Sequence, residues 1–198
     1  MQRCIYCFKR QATTRDHVPP KLILRRPLPT NLRTVPSCAQ CNEGFSLDEE
    51  YFRLVVVGIF CHSSEAEFVF GGPMSRSFDH NPHLEDILFG TIDVEDGRPV
   101  ATLDQLRLHR VGEKIIRGLG FLIFGKPIEP EVKISTQFFE TEAIPPELNR
   151  ALTTVPFIQD YAPDFIYRYK SIDIPQYESL WQLSFFGDFH CFAGIQKN

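Results

Sequence analysis

Long apolar runs are missing from this sequence of 198 residues. The longest run, LVVVGIFC at 54–61, is far shorter than the roughly 20 residues that a membrane-spanning helix needs. The first ten residues, MQRCIYCFKR, also lack the apolar core of a signal peptide. We therefore expect a cytoplasmic protein with no membrane partner.

Signatures of several common enzyme classes are missing as well. The sequence has no glycine-rich phosphate loop and no G-x-S-x-G, which argues against a P-loop nucleotide hydrolase and a serine hydrolase. It has no internal repeat and no low-complexity tract. Because 43% of the residues are apolar, the chain has the composition of an ordinary globular protein.

Acidic residues are almost absent from the first 42 positions. Asp16 is the one acid there, against eight lysines and arginines, whereas residues 43–198 hold 24 acidic and 13 basic residues. A basic front on an acidic body favours contact of the front with a polyanion. A solvated basic loop would give the same count, so the charge pattern alone leaves both interpretations open.

Four of the six cysteines form two C-x-x-C pairs: Cys4, Cys7, Cys38 and Cys41. This spacing turns two thiolates toward one ion, and two such pairs complete a tetrahedral zinc site. Since four thiolates leave no open coordination position, we expect the zinc to be structural. The remaining cysteines each adjoin a histidine, in Cys61-His62 and His190-Cys191. No ligand spacing supports a second metal site there, and we expect buried free thiols.

The segment between the two cysteine pairs carries Asp16 followed directly by His17, and then Asn31. Asn42 comes directly after the last cysteine. Taken together, these residues resemble the HNH endonuclease family, in its branch with four zinc-binding cysteines, over roughly residues 4–50. The resemblance implies a ββα-metal fold, in which a β-hairpin and a helix surround one divalent cation.

The resemblance also assigns a role to each residue. It makes His17 the general base, Asp16 the first metal ligand, Asn42 the second ligand, and Asn31 the residue that orients the base loop. Asn42 stands where the family more often has a histidine. A neutral imidazole can accept the proton of an attacking water, and the Asp16 and Asn42 oxygens suit Mg²⁺ or Mn²⁺. The expected reaction is metal-dependent hydrolysis of DNA.

Four basic residues flank the Asp-His pair where phosphates would approach: Arg15, Lys21, Arg25 and Arg26. Positive charge there would attract the nucleic-acid backbone.

The predicted fold class is α+β, with an HNH module at 1–62 and a body of mixed helices and antiparallel strands at 63–198. After Asn42, SLDEEYFRLVVVGIF predicts a helix in which Ser46 and Glu49 have capping-box spacing. Capping also accounts for the acids of its first turn, which could alternatively be metal ligands.

Further along the chain, residues 65–100 contain GGP and NP breaks and predict short extended pieces. A second helix is predicted near 103–123. Its basic side chains could extend a nucleic-acid surface, but the pattern favours a solvated face. Strands are predicted in EVKISTQFFE and FIYRYKSI, and a final strand or hairpin in SLWQLSFFGDFHCFAGI.

Two alternatives to an independent nuclease stay open. The front could be a zinc-stabilised module that binds nucleic acid or protein without cleaving it. The chain could also be a nuclease effector that acts only with a protein partner, bound through the C-terminal region.

Overall fold

The computed structural model of the protein describes residues 2–90, 92–95, 98–172 and 174–197. Helices and antiparallel sheets make up these parts of the chain, which confirms the predicted α+β class. Among the described residues, no helix combines the length and apolarity needed to cross a membrane.

The front begins with a cysteine turn and a two-stranded antiparallel hairpin. Strand β1 (Thr14–Val18) pairs with β2 (Arg33–Ser37), and a short 3-10 turn lies in the loop between them at Lys21–Ile23. Helix α1 (Ala39–Gly44) follows directly. The order strand, strand, helix is the order that the sequence resemblance implies.

A series of helices follows the front. They are α2 (Ser46–Val55), which continues as a π-helical turn over Val56–Phe60, then α3 (Ser64–Val69), α4 (Ser75–His80) and α5 (His83–Gly90). A small hairpin of β3 (Ile92–Glu95) and β4 (Arg98–Ala101) comes next.

The prediction of extended pieces over 65–100 is therefore wrong for most of that range; residues 91, 96 and 97 lie outside the described part. The glycines and the proline of GGP predict an interruption of regular structure, but they lie within a π-helical turn at Phe70–Met74. The buried residues have the spacing of a helix: Ala66 and Val69 are three residues apart, and Leu84 and Leu88 are four apart. Burial of one helix face therefore favours helices in this range.

Helix α6 (Gln105–Phe124) confirms the second predicted helix. The Asp104 side chain accepts hydrogen bonds from the backbone N–H groups of Leu106 and Arg107, at 3.1 and 3.3 Å, and thereby caps its first turn. The helix ends at Gly125, whose φ of 70° is the left-handed conformation that glycine adopts most readily.

The C-terminal part forms one antiparallel sheet in the order β5-β9-β8-β7-β6. The strands are β5 (Ile134–Glu140), β6 (Ile158–Tyr161), β7 (Phe165–Ser171), β8 (Tyr177–Phe185) and β9 (Phe189–Gln196). The last two make the predicted final hairpin, and Gly187 in its turn has a φ of 83°. A short helix, α7 (Pro146–Leu152), lies between β5 and β6.

The main core lies between this sheet and the two long helices. The Phe52 ring of α2 meets Phe138 and Phe185 edge-on, with ring centroids 6.0 and 5.1 Å apart. Gly112 of α6 lies against the sheet, where an added Cβ would be 3.4 Å from Sγ of Cys191. On the opposite face, Arg168 donates to the carbonyl oxygen of Leu152 in α7 at 2.8 Å.

The front is attached to the body by ion pairs as well as by packing. Arg33 of β2 is 2.6 Å from the carboxylate of Asp160, and Arg25 is 2.6 Å from that of Asp164. The Arg25 backbone N–H also donates to Asp164 at 2.8 Å. Contacts therefore cross the predicted boundary between 1–62 and 63–198.

Candidate functional site

The four cysteines of the two C-x-x-C pairs converge on one point. Their sulfur atoms all lie within 4.8 Å of one another, and those of Cys7 and Cys38 are 4.0 Å apart. Zinc–sulfur bonds of about 2.3 Å in a tetrahedron put the sulfurs roughly 3.8 Å apart, so this spacing fits a single ion. The cysteines are free thiols rather than disulfides. The cluster can therefore bind a structural metal such as zinc, as the spacing predicted.

Two hydrogen-bond donors act on the sulfurs of this cluster. The Arg10 guanidinium donates to Sγ of Cys38 at 3.0 Å and to Sγ of Cys41 at 3.4 Å. The Cys41 backbone N–H donates to Sγ of Cys38 at 3.4 Å, where Cys38 caps α1. Burial raises the pKa of the Cys38 thiol, but these hydrogen bonds outweigh it and lower that pKa to about 6. The thiolate form that binds metal is thus favoured at Cys38, whereas burial raises the pKa of the Cys41 thiol to about 12.

The Asp-His pair lies in the middle of β1, and its two side chains point to opposite faces of the strand. Asp16 pairs with Val35 across the hairpin, and His17 pairs with Thr34. Asp16 is 5% exposed, whereas His17 is half-buried. The two residues therefore occupy different environments, as the alternation of an extended segment requires.

A buried charge cluster surrounds Asp16. The Lys114 ammonium of α6 lies 2.9 Å from Asp16 Oδ1, and the Tyr6 hydroxyl donates to Asp16 Oδ2 at 2.7 Å. The same ammonium contacts the carboxylate of Glu49 from α2. Its third neighbour is the ring of Phe45, whose centroid is 5.2 Å away. Strand β1 and helices α2 and α6 thus meet at one cation.

Burial governs the protonation of this cluster. It raises the pKa of Tyr6 well above its ordinary value, with the adjacent Asp16 charge acting in the same direction. It also raises the pKa of Glu49, against the opposing effect of Lys114. The Tyr6 hydroxyl therefore stays protonated and serves Asp16 as a hydrogen-bond donor.

His17 has a lowered pKa. Partial burial is the main cause, and the positive charges of Lys21 and Lys114 add to it, while Asp16 opposes them. Lowering the pKa keeps the imidazole neutral at neutral pH, which is the form that can accept a proton.

The two predicted asparagines go to different places. Asn42 in α1 donates from its amide to the Thr14 hydroxyl at 3.4 Å, on the same face of β1 as Asp16. Asn31 is exposed and donates to the backbone oxygen of Asp160 at 3.2 Å. The structure thus brings Asn42 to the Asp16 strand, while Asn31 is fastened to β6 of the body.

The capping-box prediction for α2 is wrong. Phe45 precedes the first helical residue, and no side chain caps this end of the helix. The Ser46 hydroxyl donates to the carbonyl oxygen of Glu43 at 2.7 Å, and Glu49 extends to Lys114. Asp48 pairs with two arginines of α6. Their nitrogens lie 2.9 Å (Arg107) and 2.5 Å (Arg110) from its carboxylate.

The basic residues that were predicted to steer phosphates fall into two groups. Arg25 pairs with Asp164, and Arg15 donates to the Thr34 hydroxyl at 2.8 Å. Lys21 and Arg26 are exposed, and Arg26 lines an open cavity of about 590 Å³ beside the hairpin loop. The body therefore neutralises part of the positive charge of the front.

Sequence reasoning missed Lys114, Tyr6 and Arg10, and it assigned Glu49 to a helix cap, with metal ligation as the alternative. Lys114 was placed on a solvated helix face, yet its side chain is 1% exposed. One signal was present: Lys114 lies three residues after Val111 and four before Gly118, so it borders the apolar stripe of α6. Glu49 and Tyr6 contact partners 65 and 10 residues away along the chain, and no short-range pattern indicates either contact.

The cysteines outside the cluster behave as expected. Cys61 and Cys191 are both buried, and burial raises the pKa of each thiol. His62 is exposed, whereas the His190 ring is hydrogen-bonded to the Thr141 hydroxyl at 3.0 Å. Within the described ranges, the four-cysteine cluster is the one group of three or more ligand-type side chains placed to share an ion.

Comparison of the chain with protein-family models, with curated proteins and with solved structures found no match.

Proposed function

We propose that the protein is a metal-dependent endonuclease of the HNH type that hydrolyses phosphodiester bonds of DNA. One observation carries the proposal. A half-buried histidine, His17, stands next to the buried carboxylate of Asp16 on a hairpin strand that lies between the two cysteine pairs of the cluster. Helix α1 in turn holds Asn42 on the Asp16 side of that strand.

His17 would act as the general base. Its lowered pKa favours the neutral ring, which can take a proton from a water molecule at neutral pH. The hairpin pairing with Thr34 fixes the backbone on which the ring is carried. Asn31 would act indirectly, by holding the start of β2 against Asp160.

Two metals belong to the proposal. Zinc would be held by Cys4, Cys7, Cys38 and Cys41, whose sulfur spacing fits a tetrahedral ion. Mg²⁺ or Mn²⁺ would be held by oxygens of Asp16 and Asn42, a donor set that suits hard cations. Such a cation, when bound, would stabilise negative charge on the scissile phosphate and on the leaving oxygen.

DNA is the proposed partner because the exposed cations of the front lie beside the hairpin. Arg15, Lys21 and Arg26 are accessible to a phosphate backbone. A protein partner could be bound through the C-terminal region, where Phe68 and Phe89 expose 55% and 66% of their surface. The proposed compartment is the cytoplasm, where the thiols of the cluster stay reduced.

The second candidate function is a zinc-stabilised module that binds nucleic acid without cleaving it. The environment of Asp16 favours this candidate, since its carboxylate already receives the Lys114 ammonium and the Tyr6 hydroxyl. In this candidate function the Asp16 carboxylate is structural, because it binds α6 to the hairpin.

A nicking assay on supercoiled plasmid distinguishes the two functions. The full-length protein is incubated with Mg²⁺, Mn²⁺ or EDTA, in parallel with His17→Ala and with His80→Ala as a control at an exposed histidine. We expect nicking that depends on the divalent cation, is retained in His80→Ala and is lost in His17→Ala. Equal cleavage by wild type and His17→Ala would refute the nuclease proposal. Binding in a gel-shift assay without cleavage by any variant would favour the binding module.

A further inference from the structure

We infer that the carboxylates of Asp16 and Glu49 form a cation-binding site whose resident occupant is the ammonium of Lys114, and that a divalent cation binds between them only when Lys114 leaves. The inference deepens the proposed function, from which it takes Asp16, and it adds Glu49 as a ligand and Lys114 as a competitor. Metal binding alone tests it, whether or not the protein cleaves DNA.

The geometry of the ammonium supports this assignment. Lys114 Nζ is 2.9 Å from both carboxylate oxygens of Asp16, and it also contacts Oε1 of Glu49. The Lys114 side chain is 1% exposed, Asp16 6% and Glu49 14%. A compact positive charge therefore sits between two shielded carboxylates, oxygen donors of the kind that divalent cations prefer.

The two carboxylates need a cation at this point. They come from different elements, β1 and α2, and both are directed at the same small volume. Two like charges shielded from water repel each other strongly, so removing the cation between them is costly unless another replaces it. A divalent ion would balance both negative charges, whereas the ammonium balances one.

A cavity beside Lys114 could accommodate its side chain after displacement from the carboxylates. An open cavity of about 240 Å³ borders the lysine and is lined by Tyr6, Phe45, Arg110, Glu113 and Arg117. Glu113 is already paired with Arg117 at 2.8 Å, so the displaced ammonium would be hydrated in this open cavity. The lysine is tethered to α6, so it competes with a free metal ion from within the molecule.

Internal competition predicts the size of the effect. The apparent dissociation constant rises in inverse proportion to the fraction of molecules in which the site is free. If Lys114 occupies the site in about 99% of molecules, its removal tightens binding about 100-fold. A smaller occupancy of about 90% still gives roughly a tenfold change.

The experiment is a Mn²⁺ titration of the full-length protein loaded with one equivalent of zinc, in which electron paramagnetic resonance reports free Mn²⁺. Hard Mn²⁺ should not displace zinc from thiolates. Four proteins are compared: wild type, Lys114→Met, the double variant Lys114→Met/Glu49→Gln, and Lys126→Met as a control at an exposed lysine. We expect Lys114→Met to bind one Mn²⁺ at least tenfold more tightly than wild type, and Lys126→Met to match wild type. The Glu49→Gln change should abolish most of the gain.

Three results would overturn the inference. One is a folded Lys114→Met protein that binds Mn²⁺ no more tightly than wild type. The second is a gain in affinity that survives Glu49→Gln, which would place the ion elsewhere. If Lys114→Met folds only when Mn²⁺ is added, that rescue supports the inference. If Lys114→Met folds neither with nor without Mn²⁺, Lys114→Gln is tested instead. The third contrary result is then a Lys114→Gln protein that binds Mn²⁺ with the same affinity as wild type.

Discussion

Gly118 of α6 lies directly against Val18 of β1, so close that a Cβ built on the glycine would stand 2.5 Å from Cγ2 of Val18. Carbon atoms in van der Waals contact are about 3.5–4.0 Å apart, so only glycine fits there without movement. Val18 is the next residue after His17. The contact therefore fixes the distance between α6 and the strand that carries the Asp-His pair.

Replacing this glycine should disturb the hairpin. Gly118→Ala gains about 1 kcal/mol of helix propensity, but the forced overlap should cost about 1–3 kcal/mol, so we expect a net loss of stability in urea unfolding. Gly44→Ala is the matched control in α1, because a Cβ there meets no atom within 4 Å. We also expect Val18→Ala to be better tolerated in the Gly118→Ala background than alone. Equal stability of the two glycine variants would show that the contact is loose.

The four-cysteine cluster should hold one zinc and stabilise the front. Cys38→Ser should release the ion and lower the melting temperature, since metal binding in such sites contributes directly to folding. Cys61→Ala, a buried thiol outside the cluster, should retain one equivalent of zinc. Mass spectrometry under native conditions measures the zinc content of both variants. One tightly bound zinc in Cys38→Ser would contradict the ligand set.

Arg10 should strengthen metal retention from outside the ligand set. Its guanidinium donates to the sulfurs of Cys38 and Cys41, and removing such partners typically weakens metal affinity by roughly 10–100-fold. We expect Arg10→Met to lose zinc to a chelator at about a tenfold lower chelator concentration. Lys9→Met, an exposed neighbour, should behave like wild type. If the two variants release zinc alike, the hydrogen bonds to sulfur do not contribute.

His190 should make the protein less stable in mild acid. Burial lowers the pKa of this ring below its ordinary value of 6.5. As the pH falls through about 6.5, the unfolded chain binds a proton that the folded chain does not, so the free energy of unfolding decreases. Urea unfolding at about pH 7.5 and 5.5 should show this slope in wild type and a smaller one in His190→Gln. The exposed residue His80 supplies the control: His80→Gln should keep the wild-type slope.

Some of this structure could be predicted because the signal is local. The apolar stripe over 103–123 predicts α6 with both ends correct to within two residues. The alternation of apolar and polar residues in FIYRYKSI predicts β7. The cysteine spacing alone gave the cluster of four sulfurs. For α6 and β7, one short segment contains all the residues that determine the outcome, and each half of the cysteine cluster carries its own C-x-x-C signal.

Other features depend on partners far along the chain. Glu49 has capping-box spacing to Ser46, but a lysine 65 residues away takes its carboxylate instead. The helices over 64–90 contain glycines and a proline that normally interrupt helices, and burial of side chains such as Val69 and Leu88 outweighs that preference. Tertiary contacts of this kind are not visible in a local pattern.

The buried position of Lys114 has a consequence for synthesis. The ribosome releases Asp16 and Glu49 long before the lysine that lies between them, so β1 and α2 emerge with two acidic side chains whose lysine partner has not yet been made. Those side chains must stay hydrated until α6 has been made. We therefore expect the amino-terminal segment to complete its folding only after α6 has been made, and a fragment ending at residue 62 to be incompletely folded when it is produced alone.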